Sequence, residues 1–400
     1  MERLIYHIDV NNAFLSWEAL ERLKEDPTST DIRTIASAIC GDPSKRHGII
    51  LAKSPIAKQY HVSTAETIQN AQKKGPNLQL FPARHSVYQE YSKKFHSLLQ
   101  RYTDISEPFS IDEAFLDMTK TYHLFGSPLS TAYHIQKTIF KELGFTVNVG
   151  ISSNKLLAKM ASDFEKPYKV HTLFPRELAD KFWPLPVEQL LFAGRSTCEK
   201  LRTLGICTIG DLAHTDPVYL QPHLGKNGLQ LHNYANGIDP SPVQAQKEQA
   251  KGYSNCVTTD HDITDNAEAK QILLTLCETV AHRMRKDHIH AGVISVQIKN
   301  CFFQKQSKQT VLLEPTNQTN PLYEQICMLF DALWDQHTPI RLLGVHATKL
   351  SSSEFTQMSL FDMDNTQNKK LEQAIDTIRS KFGTTSIMRA SCYHSNSHKQ

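Results

Sequence analysis

Asp112 and Glu113 are adjacent carboxylates in the stretch Phe109-Ser110-Ile111-Asp112-Glu113-Ala114-Phe115-Leu116-Asp117. The apolar residues on either side predict two short strands meeting at an acidic tip. Asp-Glu is poor turn chemistry beside Asn-Gly or Asp-Gly, so something other than the turn should hold the pair there, and a divalent cation is the simplest candidate. An ordinary solvated hairpin tip is the alternative for such a pair taken alone. A second acidic strand end shifts the balance: Leu4-Ile5-Tyr6-His7-Ile8-Asp9-Val10-Asn11 is an apolar-rich run that ends in Asp9. Side by side, the two strand ends would gather three carboxylates, hard oxygen ligands suited to Mg2+ rather than to zinc.

Another candidate group follows at Asn148 to Asp163, where a strand passes into an Asn-capped helix. Lys155 and Lys159 stand at i and i+4, so they share a face that either reaches a polyphosphate or is simply solvated. To bring these groups together, the N-terminal region must alternate strands and helices. The patterning predicts helices at 14–23, 55–60, 64–74, 86–102 and 127–143, with strands at 34–40, 48–53 and 145–151. An α/β or α+β catalytic core on a mixed sheet is the expected architecture.

The bounds are consistent with that reading. A chain of 400 residues is too long for one typical core, so several domains are expected. A net charge of +3 permits nucleic acid as a partner without requiring it. Eight cysteines lack C-x-x-C spacing, and neither a signal peptide nor a membrane-spanning run is evident, so reduced thiols, a cytoplasmic location and no membrane contact are expected. The histidines show no paired ligand spacing.

Three blocks carry a resemblance. Ile8-Asp9-Val10-Asn11 with Phe14, Ser110 through Asp117, and Val149-Gly150-Ile151-Ser152-Ser153-Asn154-Lys155 through Asp163 resemble the signature blocks of the Y-family, or lesion-bypass, DNA polymerases, in the same order and spacing. The resemblance covers roughly residues 1–350. It implies an α+β, multidomain right-hand fold: a palm at 1–20 and 82–172, small fingers at 21–81, a helical thumb at 173–240, a linker at 241–250, a little finger at 251–350 and a tail at 351–400. It also implies that Asp9, Asp112 and Glu113, with the Val10 carbonyl, bind two Mg2+ ions for nucleotidyl transfer from dNTP onto primer-template DNA. Repulsion among the three carboxylates should raise at least one pKa without metal.

On the same resemblance, Phe14 is a gate beneath the incoming sugar, and Lys159 is a phosphate contact. Two positions depart from the family: Pro55 stands where a tyrosine is usual and Lys58 where an arginine is usual, a point charge in place of a fork. The thumb is expected to hold a helix-hairpin-helix around Gly194 and Gly205, cradling a DNA phosphate, with Phe192 in place of the first hairpin glycine. The little finger should run β-α-β-β-α-β, with Arg283, Arg285 and Lys299 among its phosphate contacts. In the tail, Gln357, Met358, Leu360 and Phe361 resemble a bacterial sliding-clamp-binding peptide. A helix at 369–382 follows, with Leu371, Ala374, Ile375, Ile378 and Phe382 on one apolar face. A monomeric, low-fidelity polymerase without proofreading is the expectation. A non-catalytic DNA- and clamp-binding accessory protein and a two-metal nuclease are the rivals from other classes.

Overall fold

The structure is a computed structural model that describes residues 3–43, 48–245, 249–352, 365–383 and 386–390. It divides into two units, Met1–Lys247 and Glu248–Gln400.

The first unit opens with β1 (Ile5–Val10), α1 (Ala13–Glu25), β2 (Ser37–Cys40), β3 (Ile50–Lys53), α2 (Pro55–Gln59), α3 (Ile68–Lys74) and β4 (Gln79–Pro82). It continues with α4 (His85–Leu99), β5 (Ser106–Pro108), β6 (Glu113–Asp117), α5 (Pro128–Leu143), β7 (Val147–Ser152), α6 (Lys155–Ser162) and β8 (Val170–Thr172). Five of these strands form one sheet in the order β5-β6-β1-β7-β8. All six residues of β1 are buried, which is why its sequence reads as an apolar-rich run instead of an alternating one. One face of the sheet packs on α1, α4 and α5 through Trp17, Tyr88, Phe95 and Ile135. On the other face Ala158 of α6 meets Ile5 and Phe115.

That second packing depends on Gly150. A Cβ there would stand 2.0 Å from the Ala158 carbonyl oxygen and 2.5 Å from the Ser162 amide nitrogen, so only glycine lets α6 lie this close to the sheet. Beside the main sheet, β3-β2-β4 form a small separate one with its own core of Ala38, Ile50, Ala57 and Ile68. The short strands β4 and β8 do not stand out in the sequence, because three or four residues are too few to show a period.

Four helices complete the unit: α7 (Leu178–Lys181), α8 (Arg195–Thr203), α9 (Ile209–His214) and α10 (Pro217–Ala235), the last interrupted at Gly225. Their core includes Phe182, Leu201, Leu212 and Leu231.

The second unit runs β9 (Tyr253–Ile263), α11 (Asn266–Lys286), β10 (Ile289–Asn300), β11 (Lys305–Thr316), α12 (Thr319–Asp331) and β12 (Ile340–Ser352). Its sheet order is β11-β10-β12-β9, and Leu273, Val280, Ile326 and Phe330 of the helices pack on Ile294, Val296 and Val345 of the strands. The last helix, α13 (Asn365–Phe382), covers the expected 369–382 and begins four residues earlier. Its buried or half-buried residues include Glu372, Asp376 and Arg379, while Leu371 is 59% and Phe382 75% exposed. The physical reason lies in α11, which offers it charged partners. Arg285 pairs with Glu372 and Asp376, His282 with Asp376, and Glu278 with Arg379 and Arg389.

Candidate active site

The acidic tip is held by the protein itself. The N–H groups of Phe109 and Ser110 both donate to the Glu113 carbonyl, and the Ser92 hydroxyl donates to the Ile111 carbonyl. These bonds supply the restraint that the Asp-Glu turn chemistry lacks, so no cation is needed to close the turn. Asp112 stays in the tip, where it accepts a 2.6 Å bond from the Ser110 hydroxyl. Glu113 is the first residue of β6 and stands directly across from Asp9 in the antiparallel register. Side chains paired in this way share a face at about 4.5–5.5 Å between Cβ atoms. The Val10 N–H donates to the Asp112 carbonyl at 3.0 Å, tying the tip to the end of β1.

Asp9, Val10, Asp112 and Glu113 open into a cavity of about 570 Å³, whose walls also include Phe14, Lys53, Lys58 and Lys166. The Phe14 ring stacks on Tyr88 at 4.7 Å and 20°, which fixes its orientation from behind. Lys159, expected at a phosphate, is not on the cavity wall. Its Nζ lies 2.6 Å from Glu113, 3.7 Å from Asp9 and 3.5 Å from Asp163, so it is a counter-charge within the carboxylate set. Lys166 reaches the cavity instead, 2.5 Å from Asp9 and 2.8 Å from Asp163. Neither Lys166 nor Lys53 is marked in the sequence. The first lies beyond the end of α6, outside any period, and the second is the terminal residue of a four-residue strand.

Burial raises the pKa of Asp9, and the neighbouring Lys166 and Lys159 offset it only in part. Burial likewise raises Asp112, with repulsion from Glu113 a smaller contribution. The expected rise is therefore present at two carboxylates, but desolvation is its main cause. Glu113 goes the other way. Burial pushes it up, yet its contacts with His7 and Lys159 outweigh that and bring it to about 2. His7 is buried, with Nδ1 2.8 Å from the Ser162 hydroxyl, Nε2 3.7 Å from Glu113, and a pKa lowered chiefly by burial.

Among the described residues no three acidic, histidine or cysteine side chains already stand as a metal cluster, since lysines supply the counter-charge. The donor chemistry nevertheless fits a hard cation. Three carboxylates line the cavity, and no thiol or imidazole does.

The expected DNA contacts divide. Gly194 precedes α8 as its N-cap, with open space where a Cβ would stand, and Gly205 has a φ of +79°. Phe192 adopts φ +67°, so the hairpin keeps a glycine-like conformation in spite of the side chain. In the second unit Arg283 lies over the Tyr253 ring and Lys299 over the Phe303 ring. Arg285 has to be withdrawn from the phosphate contacts. Its side chain is 13% exposed, and its guanidinium is occupied by Asp376, Glu372 and the Asn317 carbonyl. Gln357, Met358, Leu360 and Phe361 lie outside the described residues.

Residues 8–163 match the impB/mucB/samB family, residues 250–360 match its C-terminal domain, and residues 193–239 match a family described as the DNA polymerase-iota thumb domain. The chain is 42% identical over 391 residues to a Clostridium acetobutylicum protein named DNA polymerase IV, covering 98% of each. It is 36% identical over 400 residues to DNA polymerase IV 2 of Bacillus subtilis, covering 97% of this chain and 94% of that one. A solved Y-family DNA polymerase chimera shares the fold, with a TM-score of 0.74 over 88% of this chain and all of the other at 21% identity. On these likenesses, which run through nearly the whole length, the chain belongs to the impB/mucB/samB family of Y-family DNA polymerases.

Proposed function

We infer that the cavity at Asp9, Asp112 and Glu113 is the nucleotide and metal site of a template-directed, low-fidelity DNA polymerase that carries out translesion synthesis. The observation that supports this most is the cross-strand pairing of Asp9 with Glu113, opening with Asp112 onto a cavity that also holds a ring and three lysines. Asp9, Asp112, Glu113 and the Val10 carbonyl would hold two Mg2+ ions, which supply charge stabilisation for in-line displacement at phosphorus. The residues around them do the rest. Phe14, braced by Tyr88, excludes a 2′-hydroxyl by volume. Lys58 faces the triphosphate, Lys166 neutralises Asp9, and Lys159 orients Glu113 from outside the cavity. Arg283, Lys299 and the hairpin at Gly194 and Gly205 contact the DNA backbone.

Residues 357–361 would bind a bacterial sliding clamp, and the enzyme would act as a cytoplasmic monomer. The accessory-protein reading has no observation in its favour, because all three carboxylates are present at the cavity. The test is primer extension with Mg2+, a primed template and dNTPs, repeated with chelator and with Asp112→Asn. Extension by the wild type, lost on chelation and reduced by roughly two to three orders of magnitude in the variant, is expected. No extension by the wild type, or equal extension by the variant, would refute the reading.

A further inference from the structure

Lys53 and Lys58 line the same cavity wall. No acid among the described residues pairs with either. The acid with the nearest influence on Lys53 is Glu66, which is taken by Lys74 at 2.6 Å and by the Ser63 N–H. Burial, Lys58 and Lys74 together pull the Lys53 ammonium below its usual range. Lys53 is half-buried and Lys58 exposed, and two like charges lining one cavity with no carboxylate paired to them favour an anion there.

Lys53 is also held in place. As the last residue of β3 it pairs with Ala38 of β2, and the next residue, Ser54, caps α2 by accepting from the Ala57 N–H. The backbone on both sides is therefore fixed, and only the flexible stem is free to reach. Lys166, which lines the same cavity, is already paired with Asp9 and Asp163. Lys53 and Lys58 consequently carry the unspent positive charge of the site.

We propose that Lys53 is a polyphosphate-binding residue of this enzyme, gripping the triphosphate together with Lys58 where Pro55 offers no hydrogen-bond donor. The inference rests on the nucleotide reading above and adds a residue to it. Its consequence is that nucleotide affinity is carried by point charges and is steeply salt-dependent, since ammonium groups give no bidentate fork.

Two measurements on Lys53→Ala and Lys53→Arg test it: steady-state extension kinetics, and inhibition or binding by inorganic tripolyphosphate. Lys53→Ala is expected to raise the KM for dNTP about tenfold with kcat within about twofold, to weaken tripolyphosphate binding by a similar factor, and to flatten the salt dependence of KM. Lys53→Arg should restore most of the affinity, and primer-template binding should be unchanged in both. Unaltered KM and tripolyphosphate binding in a folded Lys53→Ala protein would overturn the inference, as would a fall in kcat alone. If the wild type extends no primer but Lys53→Ala still loses tripolyphosphate binding, the polymerase reading fails while the anion site stands.

Discussion

Phe14 shows how one side chain can be given a task by its neighbours. Stacked on Tyr88 at the cavity, its ring is braced where its volume would form the proposed floor beneath the sugar. Phe14→Ala is expected to raise ribonucleotide incorporation by about tenfold or more, read from extension with rNTPs, and an unchanged ratio of rNTP to dNTP use would remove the gate assignment. The carboxylates carry a different cost. Asp112 is an acid with a raised folded pKa, so its ionised form destabilises the fold at every pH above that value, and the penalty fades as pH falls through it. Asp112→Asn should therefore melt at or above the wild-type temperature in metal-free buffer at pH 7 while losing extension activity. Glu113 has the opposite sign. Its depressed value of about 2 contributes stability that is complete above the ordinary carboxylate range and is lost as pH falls through that range toward 2. Glu113→Gln should flatten the acid limb of the stability profile over that window. The three carboxylates were legible in the sequence because they sit at strand ends, where an acid interrupts an apolar run. Lys53 and Lys166 were not, because their convergence depends on tertiary packing that no local period records.

At the scale of elements, the close approach of α6 to the sheet links packing to the site. Gly150→Ala would drive a methyl group into the Ala158 carbonyl, and the helix carrying Lys159 must move to admit it. The expected cost is about 1–3 kcal/mol in urea unfolding, together with reduced extension activity as Lys159 leaves Glu113. A stable, fully active variant would show that α6 can shift without consequence. Helix starts were legible from the same chemistry that forms them: Ser127, Asn154 and Asp265 each accept from the third N–H of their helix, and each precedes a recognisable apolar pattern. The orientation of α13 was not legible. Its apolar stripe is genuine, but Arg285, His282 and Glu278 on α11 bind the opposite, charged side.

For the molecule as a whole, that clasp fixes the C-terminal helix onto the second unit. Arg285→Ala would leave Asp376 with His282 and Glu372 with the Thr319 N–H but no guanidinium, a loss of about 1–3 kcal/mol in local stability. Limited proteolysis should then cut within α13 in the variant but not in the wild type, and equal resistance would show that the clasp does not hold the helix. Asp376 has a lowered pKa, because Arg285 and His282 outweigh the opposing effect of burial, so the clasp is complete above the ordinary aspartate range and weakens only as pH falls below it. The pairing of Asp9 with Glu113 reaches into the life history of the chain. The two residues belong to adjacent strands but are far apart in sequence, so a long loop must close before either meets the other. A nascent chain that already carries Asp9 lacks the partner proposed for it until β6 emerges and docks. With the catalytic roles proposed for these two carboxylates, error-prone copying would wait on that docking.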